Sequence, residues 1–143
     1  QSAGIGVLYM DNDHFKQIND RHGHAVGDIV LIEVARRVRE QVRETDLVAR
    51  LGGDEFAVLL APMHQAQDAL RIAEKINQSE AQPLPPPYQH IVPGVSIGIA
   101  LYPQHGRSME ELLRAADRAM YAVKRHARGI SLVFDSTRDT LEP

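Results

Sequence analysis

Arg50-Leu51-Gly52-Gly53-Asp54-Glu55-Phe56 is the stretch on which the reading of this chain turns. Leu47-Val48-Ala49 precedes it and Phe56-Ala57-Val58-Leu59-Leu60 follows it. Both flanking runs are strand formers, and a glycine pair lies between them. That predicts a β-hairpin with Gly52-Gly53 at or beside its tip. Two carboxylates then stand where the second strand should begin. Successive strand side chains point to opposite faces, so Asp54 and Glu55 can address two different positions. Glycines have no Cβ and let a bulky polar group approach the backbone. Carboxylates beside such a turn suit a divalent cation carrying a phosphate. A solvated hairpin tip, where Gly and Asp are common, is the competing reading of these residues alone.

The composition narrows the class. The 143 residues suit one domain with a single core. A net charge of -3 argues against bulk nucleic-acid binding, which needs a basic footprint. There is no cysteine, so disulfides and thiolate metal sites are excluded. No apolar run approaches the ~20 residues of a membrane span, so this segment is expected to make no membrane contact. No signal peptide is visible. The chain opens almost directly into an apolar strand, Ile5 to Met10, which implies a piece of something longer. Any sensor or anchor would lie outside it.

Taken in order, strand one runs into Met10-Asp11-Asn12-Asp13. Carboxylates at the end of an apolar strand are costly unless paired or metal-bound. Asp11 and Asp13 share a face while the backbone stays extended. Phe15 and Ile18 fall at helical spacing in a short helix that breaks at Gly23. A long helix follows to about Glu44, with Leu31, Ala35, Val38 and Val42 as its apolar stripe and Arg36, Arg37, Arg39 and Glu40 mainly off it. After the hairpin, Ala66, Ala69, Leu70, Ala73 and Ile76 mark another helix. Ser79 to about His90, with Pro83, Pro85, Pro86 and Pro87, reads as an extended surface link. Val92 to Leu101 reads as a strand, with Val95, Ile97 and Ile99 alternating against Ser96, Gly98 and Ala100. Ser108-Met109-Glu110-Glu111 is a capping box opening a helix with the stripe Leu112, Leu113, Ala116, Met120 and Val123. Ile130 to Phe134 is a last strand, and residues 135–143 are expected to be a loose tail. The order predicts an α/β (α+β) chain with a mixed, largely antiparallel central sheet and helices on one face of it. Such an order can place strand one beside the hairpin.

Five blocks together resemble the GGDEF domain, the diguanylate cyclase family. They are Asp11 to Asp20, Gly23-His24 with Gly27-Asp28, Arg50 to Phe56, Val95-Ser96-Ile97-Gly98, and Ala116 to Lys124. The resemblance runs from about Val7 to Arg128 and implies a single domain of the nucleotidyl cyclase or polymerase palm type. Two departures stand out. The helix and loop that usually precede strand one are missing, and Ala127-Arg128-Gly129 stands where the family often has Gly-Arg-Asn.

The family makes cyclic di-GMP from two GTP, in a homodimer that brings two nucleotides face to face. The resemblance implies that Asp11, Asp54 and Glu55, with the Asn12 backbone carbonyl, hold two Mg²⁺ or Mn²⁺ per active site. Hard oxygen donors are what such ions prefer. Glu55 is also a candidate acceptor of the 3′-hydroxyl proton. Asp13 fits the pattern too, but a helix cap is an equally ordinary use of that residue. Asn19 and Asp28 would read guanine, since a carboxylate accepts from N1–H and the 2-amino group together. On residue grounds alone, Asn19 is also a helix end and Asp28 a charge favoured by a helix N-terminus. Gly52 and Gly53 would admit the phosphates. Lys124 and Arg128, four apart, would grip the triphosphate from one helix face, or simply form a basic last turn.

Arg43-Glu44-Thr45-Asp46 is an RxxD separated from Gly52 by five residues. In the family this placement resembles the product-inhibition site. Arg43 would bond guanine bidentately and Asp46 the opposite edge, with Arg71 as a candidate third member. A plain i,i+3 ion pair is the alternative. The resulting expectation is a cytoplasmic diguanylate cyclase domain that binds GTP and cyclic di-GMP but no nucleic acid. A catalytically silent GTP- or cyclic di-GMP-binding module is the other reading, and a cyclase making a cyclic mononucleotide a more distant one.

Overall fold

The strand that opens the chain, β1 (Gly4–Asn12), buries Val7, Leu8 and Met10, so apolar side chains are covered on both of its faces. A strand of that kind belongs inside a sheet and between two layers. The computed structural model, which describes residues 4–135, places it there. Along the chain follow α1 (Phe15–His22), α2 (His24–Gln41), β2 (Leu47–Gly52), β3 (Glu55–Met63), α3 (Ala66–Glu80), β4 (Val95–Tyr102), α4 (Met109–His126) and β5 (Ser131–Val133). The strand order is β2-β3-β1-β4-β5. Only β4–β5 is parallel; the other three pairings are antiparallel. The mixed, largely antiparallel sheet matches the expectation.

Helices cover both faces of it, not one. Leu8, Met10, Phe56, Val58, Leu60, Ile97 and Ile99 share a core with Val30, Val34 and Val38 of α2 and Ala69, Ala73 and Ile76 of α3. On the other side Val7 and Ala100 meet Leu112, Ala115 and Ala116 of α4. The alternation along β4 is therefore large against small, because Val95 to Leu101 are all buried. Its small residues make room for α4. A Cβ on Gly98 would lie 1.9 Å from the Ala116 carbonyl oxygen, so helix and strand touch backbone to backbone.

Several boundaries differ from the expectation for local reasons. The long helix stops at Gln41 because Val42 is extended, at φ -111° and ψ 164°. Strand β4 begins at Val95 rather than Val92, after Pro93, which has no N–H, and Gly94, at φ 66°. The proline-rich link is not merely superficial. Leu84 and Ile91 plug into the core, and the Leu84 N–H donates to the Ile91 carbonyl at 2.9 Å. Half of the capping box holds: Ser108 Oγ accepts from the Glu111 N–H at 3.1 Å, but Glu111 reaches back to the N–H of Arg107. The expected tail lies outside the described residues from 136 onward.

Arg37, placed off the stripe by sequence, is buried. Its guanidinium donates to the carbonyls of Ser79, Gln82 and Pro83 at 2.7–2.9 Å, which ties α2 to the end of α3 and the link. Glu80 lies beside it with 0% exposure, 3.7 Å from Arg37 Nη1. Neither of its oxygens accepts a hydrogen bond among the described residues. Burial pushes the Glu80 carboxyl up to about 8, against the pull of Arg37. A carboxyl raised on folding loses stability as pH rises from its unfolded value to its folded one. Glu80→Gln should therefore leave stability unchanged near pH 4.5 and gain roughly 1–3 kcal/mol above pH 8. Thermal melts at both pH values check this, and an equal gain at both would contradict it.

Candidate active site

The register between β1 and β3 sets Asp11 opposite Glu55, on the α4 side of the sheet. The hairpin tip is held from within. Arg50 donates through Nε and Nη2 to the Gly53 carbonyl at 2.8 and 2.6 Å, and Gly53 sits in the left-handed region at φ 51°. Behind the tip the Asn12 N–H donates to the Asp54 carbonyl at 3.4 Å. The Asp54 carboxylate thereby comes near enough to the Asp11 carboxyl to raise it. Burial pushes Asp11 up to about 7, Asp54 adds to the rise, and Lys124 opposes it. Lys124, on α4, stands 3.4 Å from Asp11 and donates to the Asn12 carbonyl at 3.2 Å.

Glu55 has its own partner. The Tyr9 hydroxyl donates to Glu55 Oε1 at 2.7 Å. Burial raises the Tyr9 pKa, and this bond raises it further. Asp117 of α4 is raised by burial and by the charge of Glu55. Among the described residues no three His, Cys, Asp or Glu side chains converge on one cation position. The structure offers the Asp11 and Asp54 carboxylates with the Asn12 carbonyl, and Glu55 directed to Tyr9. That set is all oxygen, and the charge of Asp54 adds to the burial that raises Asp11. It fits a hard divalent cation.

Asp13 is not a helix cap. His14 occupies the N-cap of α1 at φ 61° and makes no side-chain cap bond. Asp13 is instead buried, accepts from Ser96 Oγ at 2.7 Å, and lies 3.7 Å from Lys124 and 3.6 Å from Arg128. The two basic residues converge without sharing a helix face, since α4 ends at His126 and Arg128 is left-handed at φ 53°.

Asn19 of α1 packs against Gly27 of α2, the residue before Asp28. Asn19 Oδ1 is buried and accepts no hydrogen bond among the described residues. A Cβ on Gly27 would lie 1.9 Å from it, so only glycine leaves that oxygen its place. Asp28 opens onto a cleft of about 490 Å³ with Leu31, Ala35, Arg39, Arg50 and Phe56. Arg50 thus borders the cleft while bonding the hairpin tip. A second cleft of about 400 Å³, lined by Ile5, Met63, His64 and Arg107, lies at the opposite end of β1 from Asp11.

The RxxD residues stand apart from this site. Asp46 accepts from the Ala61 N–H at 3.2 Å, and Arg43 donates to the Pro62 carbonyl at 3.0 Å. That is the far end of β3, about six residues or roughly 20 Å from Glu55. Arg43 and Asp46 pair with each other at 2.8 Å. The Asp46 side chain has 0% exposure and the Arg43 side chain 47%, so Arg43 is the group open to a ligand and Asp46 is its holder. Arg71 pairs with Asp68, whose charge also acts on Arg43.

An acidic hairpin packed in register on a carboxylate-ended central strand, with helices on both faces, defines a palm-like fold of the nucleotidyl cyclase type. The chain belongs to the GGDEF family: the family model described as "Diguanylate cyclase, GGDEF domain" matches residues 1–129. Diguanylate cyclase TpbB of Pseudomonas aeruginosa (strain UCBPP-PA14) is 55% identical over 126 residues, 87% of this chain and 29% of that protein. The chain thus spans under a third of that relative. The crystal structure of the GGDEF domain of TpbB (YfiN) from Pseudomonas aeruginosa superposes with a TM-score of 0.89 at 51% identity, covering 93% of this chain and 83% of that one. The GGDEF domain of DgcB from Caulobacter crescentus in complex with c-di-GMP gives 0.82 at 30% identity, covering 92% and 78%.

Tyr9, Ser96 and Asp117 joined the site unannounced by sequence. The available signal was position: Tyr9 is two before Asp11 on one strand, hence on its face. For Asp11, removing the neighbouring charge should be visible directly. In Asp54→Asn the Asp11 carboxyl should titrate below 7 yet stay above an ordinary aspartate, followed by ¹³C NMR without divalent cations. The cation-free wild type should also lose stability between about pH 4 and 7, and the variant less, because the raised group binds its proton more tightly when folded. An unmoved titration would break the link between the two carboxylates.

Proposed function

We propose that this chain is a diguanylate cyclase domain of a longer cytoplasmic signalling protein, condensing two GTP into cyclic di-GMP with release of two pyrophosphates. The observation that carries the reading is the register that sets Asp11 opposite Glu55 with the Asn12 N–H on the Asp54 carbonyl, and Lys124 over Asp11 and the Asn12 carbonyl. It is supported by membership of the family and by likeness to the DgcB domain whose structure holds c-di-GMP.

Asp11, Asp54, Glu55 and the Asn12 carbonyl would hold Mg²⁺ or Mn²⁺, two per site, which supply activation of the attacking oxygen and neutralisation of the leaving one. Lys124 and Arg128 bind the triphosphate. Asn19 and Asp28 bind guanine, and Gly27 keeps Asn19 Oδ1 available to it. Gly52 and Gly53 leave the tip open to phosphate. The ribose 3′-oxygen of one GTP attacks the α-phosphorus of the other, the bond to pyrophosphate breaks, and Glu55 takes the hydroxyl proton. Each molecule is nucleophile and electrophile in turn, so two copies of the chain must meet about a two-fold axis. Product inhibition acts through Arg43, held by Asp46, with Arg71 nearby.

The chain incubated with GTP and Mg²⁺ should give cyclic di-GMP and pyrophosphate by chromatography. GTP binding without a dinucleotide would mean a silent module, and a cyclic mononucleotide a different cyclase. Glu55→Ala should lower turnover at least ~10³-fold with the melting temperature kept. Gly27→Ala and Asp28→Ala should raise KM for GTP about tenfold or more while sparing the metal requirement. Arg43→Ala should abolish inhibition by added product, and retained inhibition would make the RxxD purely structural.

A further inference from the structure

A polar relay runs under the phosphate-gripping residues without facing the substrate cleft. Ser96 is 0% exposed and Asp13 4%. The Gly129 N–H donates to Ser96 Oγ at 3.1 Å, and Ser96 Oγ donates to Asp13 Oδ1 at 2.7 Å. The Asp13 N–H in turn donates to the Gly94 carbonyl at 2.9 Å. Three segments are fixed by one hydroxyl: the end of β1, the start of β4 and the turn after α4. A serine hydroxyl has one proton, and both of its bonds are committed here, so its orientation is set.

The turn after α4 is the one that needs holding. Arg128 is a non-glycine residue at φ 53°, a conformation that costs of order 1 kcal/mol unless its surroundings enforce it. Its N–H bonds the Val123 carbonyl at 2.9 Å on one side, and the next N–H, that of Gly129, bonds Ser96 on the other. The Arg128 guanidinium then lies 3.6 Å from the buried Asp13 carboxylate. That is ion-pair distance beyond a good hydrogen bond, so the charge is aimed while its N–H groups stay available to another acceptor.

We propose that Ser96, anchored on Asp13, is a positioning residue that aims Arg128 at the triphosphate of the bound nucleotide. The proposal rests on the reading of this site as a GTP site. Ser96 acts through the backbone of Gly129, so its removal should be felt only by ligands that reach Arg128.

A double-mutant cycle tests it, with Kd values for GTP and for GMP measured by calorimetry in the presence of Mg²⁺. Ser96→Ala and Arg128→Ala should each weaken GTP roughly tenfold, the loss of about one charge-assisted hydrogen bond. The double variant should be no weaker than Arg128→Ala alone. GMP, which lacks the outer phosphates, should bind all four proteins equally. Should Ser96→Ala not fold, Ser96→Cys, of the same shape with weaker bonds, takes its place with the same pattern at smaller amplitude. Additive losses for GTP, or equal losses for GMP, would overturn the proposal. A wild-type chain that binds no GTP would overturn the reading of the site itself, and the proposal with it.

Discussion

The antiparallel ladder between β1 and β3 is the constraint from which the rest follows. Its register puts Asp11 across from Glu55 and lets the Asn12 N–H meet the Asp54 carbonyl. A slip of one residue would turn every side chain of the strand to the other face. Leu8 and Met10 would leave the larger core, and Asp11 would enter it. The apolar residues that stabilise the fold and the carboxylates that make the site are thus indexed by the same ladder. Burial of the strand enforces the register, and the register enforces the site.

Charge is the second organising quantity. Two carboxylates brought near each other in a half-buried place oppose ionisation, and Lys124 only partly relieves them. The fold holds this unfavourable pair because the hairpin tip is tied independently, through Arg50 and the Gly53 carbonyl. Positive groups face negative ones along the end of β1: Lys124 on Asp11 and the Asn12 carbonyl, Arg128 on Asp13, with Ser96 buried against Asp13.

Much of this was legible in the sequence, but not all of it. The hairpin and the helices follow from local periodicity and turn residues, and the element order allows strand one to pair with the hairpin, as it does. Asp11 lies across from the acidic hairpin, as an order that places strand one beside it allows, and Lys124 stands 3.4 Å from it. Sequence leaves the role of Asp13 open between cap and site because its partner, Ser96, is 83 residues away. The burial of Arg37, off the apolar stripe of α2, is not legible because its three carbonyl acceptors lie in a later segment of the chain. The second helical layer is not legible because the alternation along β4 is of large against small residues, all of them buried, and resembles an in–out pattern. Two of these concern polar groups whose partners are non-local, and the third an apolar strand covered on both faces.

The backbone contact between Gly98 and α4 makes the two layers unequal in their mutational tolerance. On the α2–α3 face the spacing is set by side chains, which can be exchanged for others of similar volume. On the α4 face it is set by main-chain atoms, which cannot shrink. A cavity-filling substitution aimed at thermostability can be absorbed in the first layer without changing the dimensions of the site. One methyl added at Gly98 would lift the whole helix, and Lys124 would travel with it, away from the carboxylates it faces.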